Sequence, residues 1–439
     1  MRAERRFLSG AAPREWAARR EIKVAALCAW SQNHSQLPSN SGLRIMSAKL
    51  FLCAASFIAL SASRAQTPSV TGTFVSTLGK DTIQIERYTR TGDRLEGDIL
   101  RRAPRVQVVH YVADLATNKV KGISVSTRRL GADATTPPTF SMVALLADST
   151  ANVEVQRGGR PDTANTGTRS FKGPAVPGVP GLPPSLALYE QTMMFNPLTG
   201  RDSVSVNVVT VGFGPNPTMT MIRRGRDTVA FVSSFSPGWT EIATVDANGR
   251  IQSLDASATT VKSVTRRAAN LDFDAIAKAW GAYEVAHGPA GAMSPPDTVR
   301  ASVGTATVEV AYSRPFKRGR VIFGNVVPWN QVWRTGANAA TQLSTSADLV
   351  FGTTVIPAGK YTLWSLPTAT GAKLIINSQT GQWGTEYDMS KDVARLDLTQ
   401  TSLSAPVEEF TFAIVPQGAN GVLKFSWDDR EYSIPFRVK

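Results

Sequence analysis

Between Val70 and Ile251 the chain alternates apolar and polar residues with a period of two, in short runs. Ile83, Ile85 and Arg87 alternate with Thr82, Gln84 and Glu86, and Val204, Val206 and Val208 alternate with Ser203, Ser205 and Asn207. Neighbouring side chains on a strand point to opposite faces, so these runs predict half-buried antiparallel strands. Gly79-Lys80-Asp81, Gly200-Arg201-Asp202 and Gly225-Arg226-Asp227 each precede such a run. Glycine supplies a positive-φ turn position and aspartate caps it, which makes this echo hairpin chemistry before it is a basic-acidic binding rim. Its irregular spacing speaks against a solenoid.

Two stretches break the strand pattern. Residues 158–184 are rich in Gly, Pro and Thr and read as a loop of polyproline character. A short helix is predicted from Ser185 to Phe195, with Leu186, Tyr189 and Met193 on one face, lying across a curved sheet. A clearer helix runs from Leu271 to His287, with Asp272 as N-cap, Phe273, Ile276, Ala277, Trp280 and Glu284 on one face, and Gly288-Pro289 as its stop. The Pro/Gly-rich segment from Gly288 to Pro296 then reads as a linker.

After that linker, strand signals are dense at Thr307–Tyr312, Ala340–Ser346, Lys360–Leu366, Lys373–Asn377, Glu409–Val415, Gly421–Trp427 and Glu431–Val438. Asn420-Gly421 and Asp428-Asp429 have the composition of turns between them. The fold class is therefore mainly β. Two antiparallel domains are expected: a curved one over 66–290 with one or two helices, and a β-sandwich over 297–439, joined by the helix and the Pro/Gly linker.

The second unit also carries an ordered series of short blocks. They are Tyr312-Ser313-Arg314-Pro315, Gly319-Arg320-Val321-Ile322-Phe323-Gly324, and Val327-Pro328-Trp329 followed by Val332-Trp333-Arg334-Thr335-Gly336-Ala337-Asn338. Pro357-Ala358-Gly359-Lys360-Tyr361-Thr362-Leu363 and Gln382-Trp383-Gly384 complete it. Through these blocks residues 297–439 resemble a family of exported bacterial domains known as domain of unknown function 2911. The resemblance implies a β-rich extracytoplasmic module and brings no chemistry with it. Residues 66–290 show no comparable resemblance.

The start of the chain has a different character. Met46-Ser47-Ala48-Lys49, an apolar run from Leu50 to Leu60, and Ser63-Arg64-Ala65-Gln66 have the form of a signal peptide over 46–65, with cleavage expected after Ala65. A membrane span needs about 20 apolar residues, so this run is too short to stay as an anchor. Cys53 follows Leu52 rather than a small residue, which argues against lipidation. Residues 1–45 read as a gene-model extension or an Arg-rich leader. Half of the net charge of +14 lies before Gln66, which weakens nucleic acid as a partner. Both cysteines, Cys28 and Cys53, precede the expected cut, so the exported chain would have neither disulfide nor thiol chemistry.

Candidate chemistry is sparse. His110 and His287 are the histidines after Ala65. His110 lies in a predicted strand beside Val108 and Val109 and His287 closes the helix, so neither is marked as a triad base. The inventory does not readily supply a conventional zinc site. No metal and no cofactor are expected, and no catalytic residue is assigned. Glu386 and Asp388, Glu408-Glu409 and Asp428-Asp429 are the paired carboxylates, but the two adjacent pairs would face oppositely on a strand and make poor acid/base partners. Arginine beside tryptophan is the more informative combination: a guanidinium donates a planar fork to an anion, and an indole offers a face to a sugar or a cation. The candidate ligand-binding residues are accordingly Arg314, Arg320, Trp333, Arg334, Asn338 and Trp383. The competing assignment places the tryptophans in the core and pairs Arg334 with a buried acid. The favoured reading is an exported, non-catalytic β protein that binds an anionic or carbohydrate ligand, or an envelope component. A structural or partner-docking module and a secreted carboxylate-dependent hydrolase are the alternatives.

Overall fold

The computed structural model describes residues 69–133, 135–211, 217–234, 238–269 and 271–439. Gln66–Lys439 form one compact unit. The expected signal peptide over 46–65 and the segment 1–45 lie outside the described residues.

Two sheets account for the described strands. In the first, Ser69–Leu78 lies in the middle of a long meander. On one side it pairs with Asp81–Thr91, and the path continues through Arg94–Arg101, Gln107–Leu115, Val120–Arg129 and Phe140–Leu146 to Thr150–Arg157. On the other side it pairs with Val264–Ala268, and the path runs back through Ile251–Asp255, Thr240–Val245, Thr228–Ser233 and Thr218–Arg223 to Ser203–Val209. Each of the three Gly-basic-Asp turns launches a strand, beginning at Asp81, Ser203 and Thr228.

Two helices cover opposite faces of this sheet. Helix α1, Leu186–Phe195, is capped by Ser185, whose side chain accepts from Leu188 N–H. Its Leu186, Ala187 and Leu188 join Tyr88, Leu95, Tyr111, Val206 and Phe231 in the main core of the sheet. Glu190, Gln191 and Thr192 are buried as well, so the helix is enclosed beyond the single apolar face expected for it. Helix α2, Phe273–His287, is capped by Asp272 and sets Phe273, Ile276, Ala277 and Trp280 against Ile85, Leu100 and Val106. Glu284 on the same face accepts from Val106 N–H at 2.6 Å. Strand Asp81–Thr91 is thus covered from both sides: Ile85 faces α2, while Glu86 and Tyr88 reach α1. Its middle is fully buried rather than half-buried, because each face has its own helix.

The second sheet follows the order Pro296–Val303, Ala306–Ser313, Thr341–Thr345, Gly359–Pro367, Ala372–Asn377, Asp392–Gln417, Asn420–Val438, Leu349–Phe351 and Thr354–Ile356. Its last long hairpin, Asp392–Gln417 with Asn420–Val438, bends through two register shifts. A bridge between Phe316 and Glu409 ties the first strands back onto it, with Lys317 N–H on Glu408 C=O at 2.7 Å. The enclosed core is aromatic, built on Phe410, Phe412, Phe425, Trp427 and Tyr432. Two expected turns are not turns. The hairpin reverses at Gly418 and Ala419, so Asn420 is already paired with Gln417. Asp428-Asp429 lies inside a continuous strand, where Asp428 takes φ +54° at a register shift and its carboxylate holds Lys317. A local bulge needs the same residue chemistry as a turn.

The sheets touch at the Gly79 turn. Lys80 N–H donates to Arg318 C=O at 3.1 Å, and Arg318 pairs with Asp81 at 2.5 Å. Gly79 sits at φ +60° with Arg318 O only 2.1 Å from where a Cβ would stand, so only glycine fits this contact.

Candidate functional site

The blocks around residues 312–338 and 382–384 hold all six candidate residues, and three of them, Arg334, Asn338 and Trp383, meet at Gly384. Trp333 exchanges backbone hydrogen bonds with Ser365, which fixes the start of the loop. Gly384 N–H donates to Asn338 C=O at 3.0 Å, and Ala339 bridges to Trp383. The Arg334 side chain crosses Gly384, with its Cδ 2.1 Å from where a Cβ would stand. Any larger residue at 384 would displace the guanidinium. Trp383, 47% exposed, stands next to that crossing point.

Arg334 is the unusual group. Its Nε is buried without a hydrogen-bond partner, and no carboxylate pairs with it among the described residues. Burial alone pushes its pKa down to about 10, so it stays charged at neutral pH. The buried acid that would have made it a structural ion pair is absent among the described residues. The charged group that feels it, Lys262, has the same sign. Burial and the charges of Arg334 and Arg320 depress Lys262. Lys262 lies two residues beyond the Thr77–Val264 pair, at the Gly79 turn, and Arg320 Cγ packs 3.0 Å from the position of a Gly79 Cβ. Burial, and then Arg318, lower Arg320, while Glu408 and Asp81 partly offset them.

The other candidates have structural tasks. Arg314 pairs with Glu409 at 3.1 Å and Asp297 at 3.4 Å and donates to Thr411 Oγ1 at 2.9 Å. Arg320 donates Nε–H to Lys317 C=O at 3.0 Å. Trp333 stacks on Trp427 at 5.9 Å between centroids and 17° between planes, and meets Phe410 edge-on. Asn338, at φ +59°, donates to Ser294 C=O and Ser313 Oγ. Among the carboxylate pairs, Glu408 accepts from Arg318 N–H, Glu386 from Trp383 N–H and Asp388 from Ser390 N–H.

Residues 294–436 match the family model described as Protein of unknown function (DUF2911). The match spans the blocks that carry the resemblance and about a third of the chain. Among solved structures, a double mutant and a single mutant of transferrin binding protein B from Haemophilus parasuis Hp5 are each similar at 7% identity. They cover 85% of this chain and 76% and 77% of their own, with TM-scores of 0.12, too low to bear on the fold. No curated protein matches. No helix among the described residues is long and apolar enough to cross a membrane. No cluster of three or more His, Cys, Asp or Glu among them could hold a metal ion.

Outside the DUF2911 region, three glutamates are buried between the first sheet and α1, Glu86 and Glu241 from the sheet and Glu190 from the helix, and strand periodicity reveals none of them. Glu86 accepts from Ser185 Oγ at 2.5 Å, Tyr111 Oη at 2.7 Å and Leu186 N–H at 2.8 Å. Glu190 accepts from Tyr88 Oη and Ile251 N–H, both at 2.7 Å, and pairs with Arg267. Glu241 is different. Its Oε2 accepts from Tyr189 Oη at 3.0 Å and the Trp239 side chain also favours its charged form, yet Oε1 has no partner. Burial pushes its pKa from 4.5 up to about 7. The folded chain therefore holds a proton between those values that the unfolded chain releases, so stability falls as pH rises from 4.5 to about 7. At about 1.36 kcal/mol per pKa unit the loss is on the order of 3 kcal/mol. Urea melts across that range should show a shallower pH slope for Glu241→Gln, and identical slopes would refute the assignment.

Proposed function

We propose that this is an exported binding protein whose ligand presents an anionic group to Arg334 in the DUF2911 region. The observation that carries the reading is an unpaired, largely buried guanidinium near Lys262, a cation that Arg320 approaches in turn. A buried charge without a counter-charge is costly, and an arriving anion supplies the missing partner. Trp383 adds an exposed indole beside it, which suits an anionic saccharide better than a bare ion. Export rests on the signal-peptide pattern ending at Ala65.

Thermal melts of the exported chain at constant ionic strength test the reading. Sulfate, phosphate and a sulfated oligosaccharide should raise the midpoint above that in chloride, increasingly with concentration, as a ligand of the native state must. Three anions that behave like chloride would remove the proposal. A structural or partner-docking role is favoured for the neighbouring loop 314–318, whose Arg314, Lys317 and Arg318 are each ion-paired.

The reading places the boundary between units in the segment 288–296 and the ligand's charge contacts largely within 297–439. The aromatic core of that second unit is separate from that of the first. An isolated 297–439 fragment is expected to unfold in one cooperative transition that reductant does not alter. A fragment that binds hydrophobic dye and melts without a transition would show that the first unit completes its core.

A further inference from the structure

The first sheet contains a cavity that the anionic site does not use. It has a volume of about 80 Å³ and lies between α1, the loop at Val176–Pro184 and the strands that carry Met219 and Glu241. Its walls are mainly apolar, with Val179, Leu188, Met219 and Trp239 among them. A water needs only about 10–15 Å³, and roughly 150 Å³ admits benzene, so this space fits a short alkyl segment. Two polar atoms of the lining lack partners: Thr210 Oγ1 and Glu241 Oε1. Glu241 is 1% exposed.

The contrast among the three buried glutamates points to the ligand. Glu86 and Glu190 bind donors on both oxygens and act as anchors for α1. Glu241 has the same burial but leaves one oxygen open beside an apolar cavity. Buried carboxyl oxygens are rarely left unmatched, because an orphaned acceptor loses its hydration without return. A neutral donor or an ammonium would satisfy it, and only an ammonium would also neutralise the carboxylate. The groups facing Glu241 are Tyr189 from α1 and Trp239 from the approach to its own strand. No Lys, Arg or His among the described residues pairs with it.

We propose that this cavity is a second binding site, for an amphiphilic amine whose alkyl body lies against Val179, Leu188 and Met219 and whose ammonium rests on Glu241 Oε1. Binding of the cation requires the ionised carboxylate. Affinity therefore rises with pH toward 7, and below 7 each bound amine displaces close to one proton from the protein.

Calorimetry on the exported full-length chain with butylammonium, 1-butanol and butyrate tests this. Butylammonium is expected to bind at least tenfold more tightly than the alcohol, butyrate not at all, and the heat at pH 6 should depend on the buffer's ionisation enthalpy. Glu241→Gln should erase the preference for the amine and the proton release. Val179→Phe fills the wall without touching the Tyr189–Glu241 bond and should abolish binding of amine and alcohol alike, while the sulfate response at Arg334 persists. Equal affinity for amine and alcohol, absent proton release, or binding unchanged in Val179→Phe would each overturn the proposal.

Discussion

Arg334→Met is expected to melt above the wild type in plain buffer and to lose its response to anions. Methionine is close in length to the aliphatic stem of arginine and can lie across Gly384 in its place, without a charge to desolvate. Replacing buried charge with apolar side chains of similar volume is often neutral or stabilising by about 1–4 kcal/mol. Arg334 keeps some access to water, so about 1–2 kcal/mol is the reasonable expectation here. The second half of the result is the more diagnostic. An anion at one hundred times its dissociation constant adds about 2.7 kcal/mol to the wild type and nothing to the variant. An Arg334 that instead neutralised a hidden acid would make the same substitution cost about 3–5 kcal/mol. Paired urea melts with and without sulfate separate these outcomes, and a large loss of stability in Arg334→Met would return the residue to the structural class.

Glu86→Ala should be among the most damaging single changes in the first sheet. The carboxylate ties strand Asp81–Thr91 to the N-terminus of α1 through Ser185 and Leu186, and to the next-but-one strand through Tyr111. Removing it orphans three buried donors and opens a void. At about 1–3 kcal/mol for each donor left unsatisfied, the cost is on the order of 5 kcal/mol. Tyr111→Phe deletes one of the three bonds and should cost far less. A double-mutant cycle between the two should give a coupling of about 0.5–3 kcal/mol, since both report on one network. Additive effects, or a Glu86→Ala loss below about 1 kcal/mol in denaturant, would show that water replaces the carboxylate.

What the sequence disclosed follows from what lies behind each element. Helix α2 packs one face on a sheet and shows the other to solvent, so Phe273, Ile276, Ala277 and Trp280 stand out at helical spacing. Helix α1 lies inside a curved sheet, so Glu190, Gln191 and Thr192 are buried too, and no apolar stripe could describe it. Glu86 illustrates the same limit: it occupies the polar side of an alternating strand, and only a distant helix gives that side an interior. Asp428 shows that turn chemistry marks a backbone conformation, not a chain reversal. In the candidate site, Gly336 marks 333–338 as chain between strands, which sets Trp333, Arg334 and Asn338 apart from Trp364 and Trp427, which alternate within strands. That Trp333 stacks on Trp427, and that Lys262 joins the cations from the other sheet, depends on contacts between residues far apart in the chain. Glu241 left no local signal, because its partner Tyr189 is on α1, in a different part of the chain.

The strand Asp81–Thr91, covered by α1 on one face and α2 on the other, also sets how the first sheet opens. Its amides at Ile85 and Glu86 are paired across the sheet and have no solvent-facing side from which a neighbour could fray. Local fluctuations that release the short edge strand Ala175–Pro177 leave them untouched, so their hydrogens should exchange with deuterium only when the whole unit unfolds. The same strand begins at Asp81, the residue that grips Arg318 of the other sheet. The slowest-exchanging segment of the first sheet is thereby continuous with the contact to the second. A pulse of deuterium would find its last protected amides running from the heart of one sheet to the edge of the other.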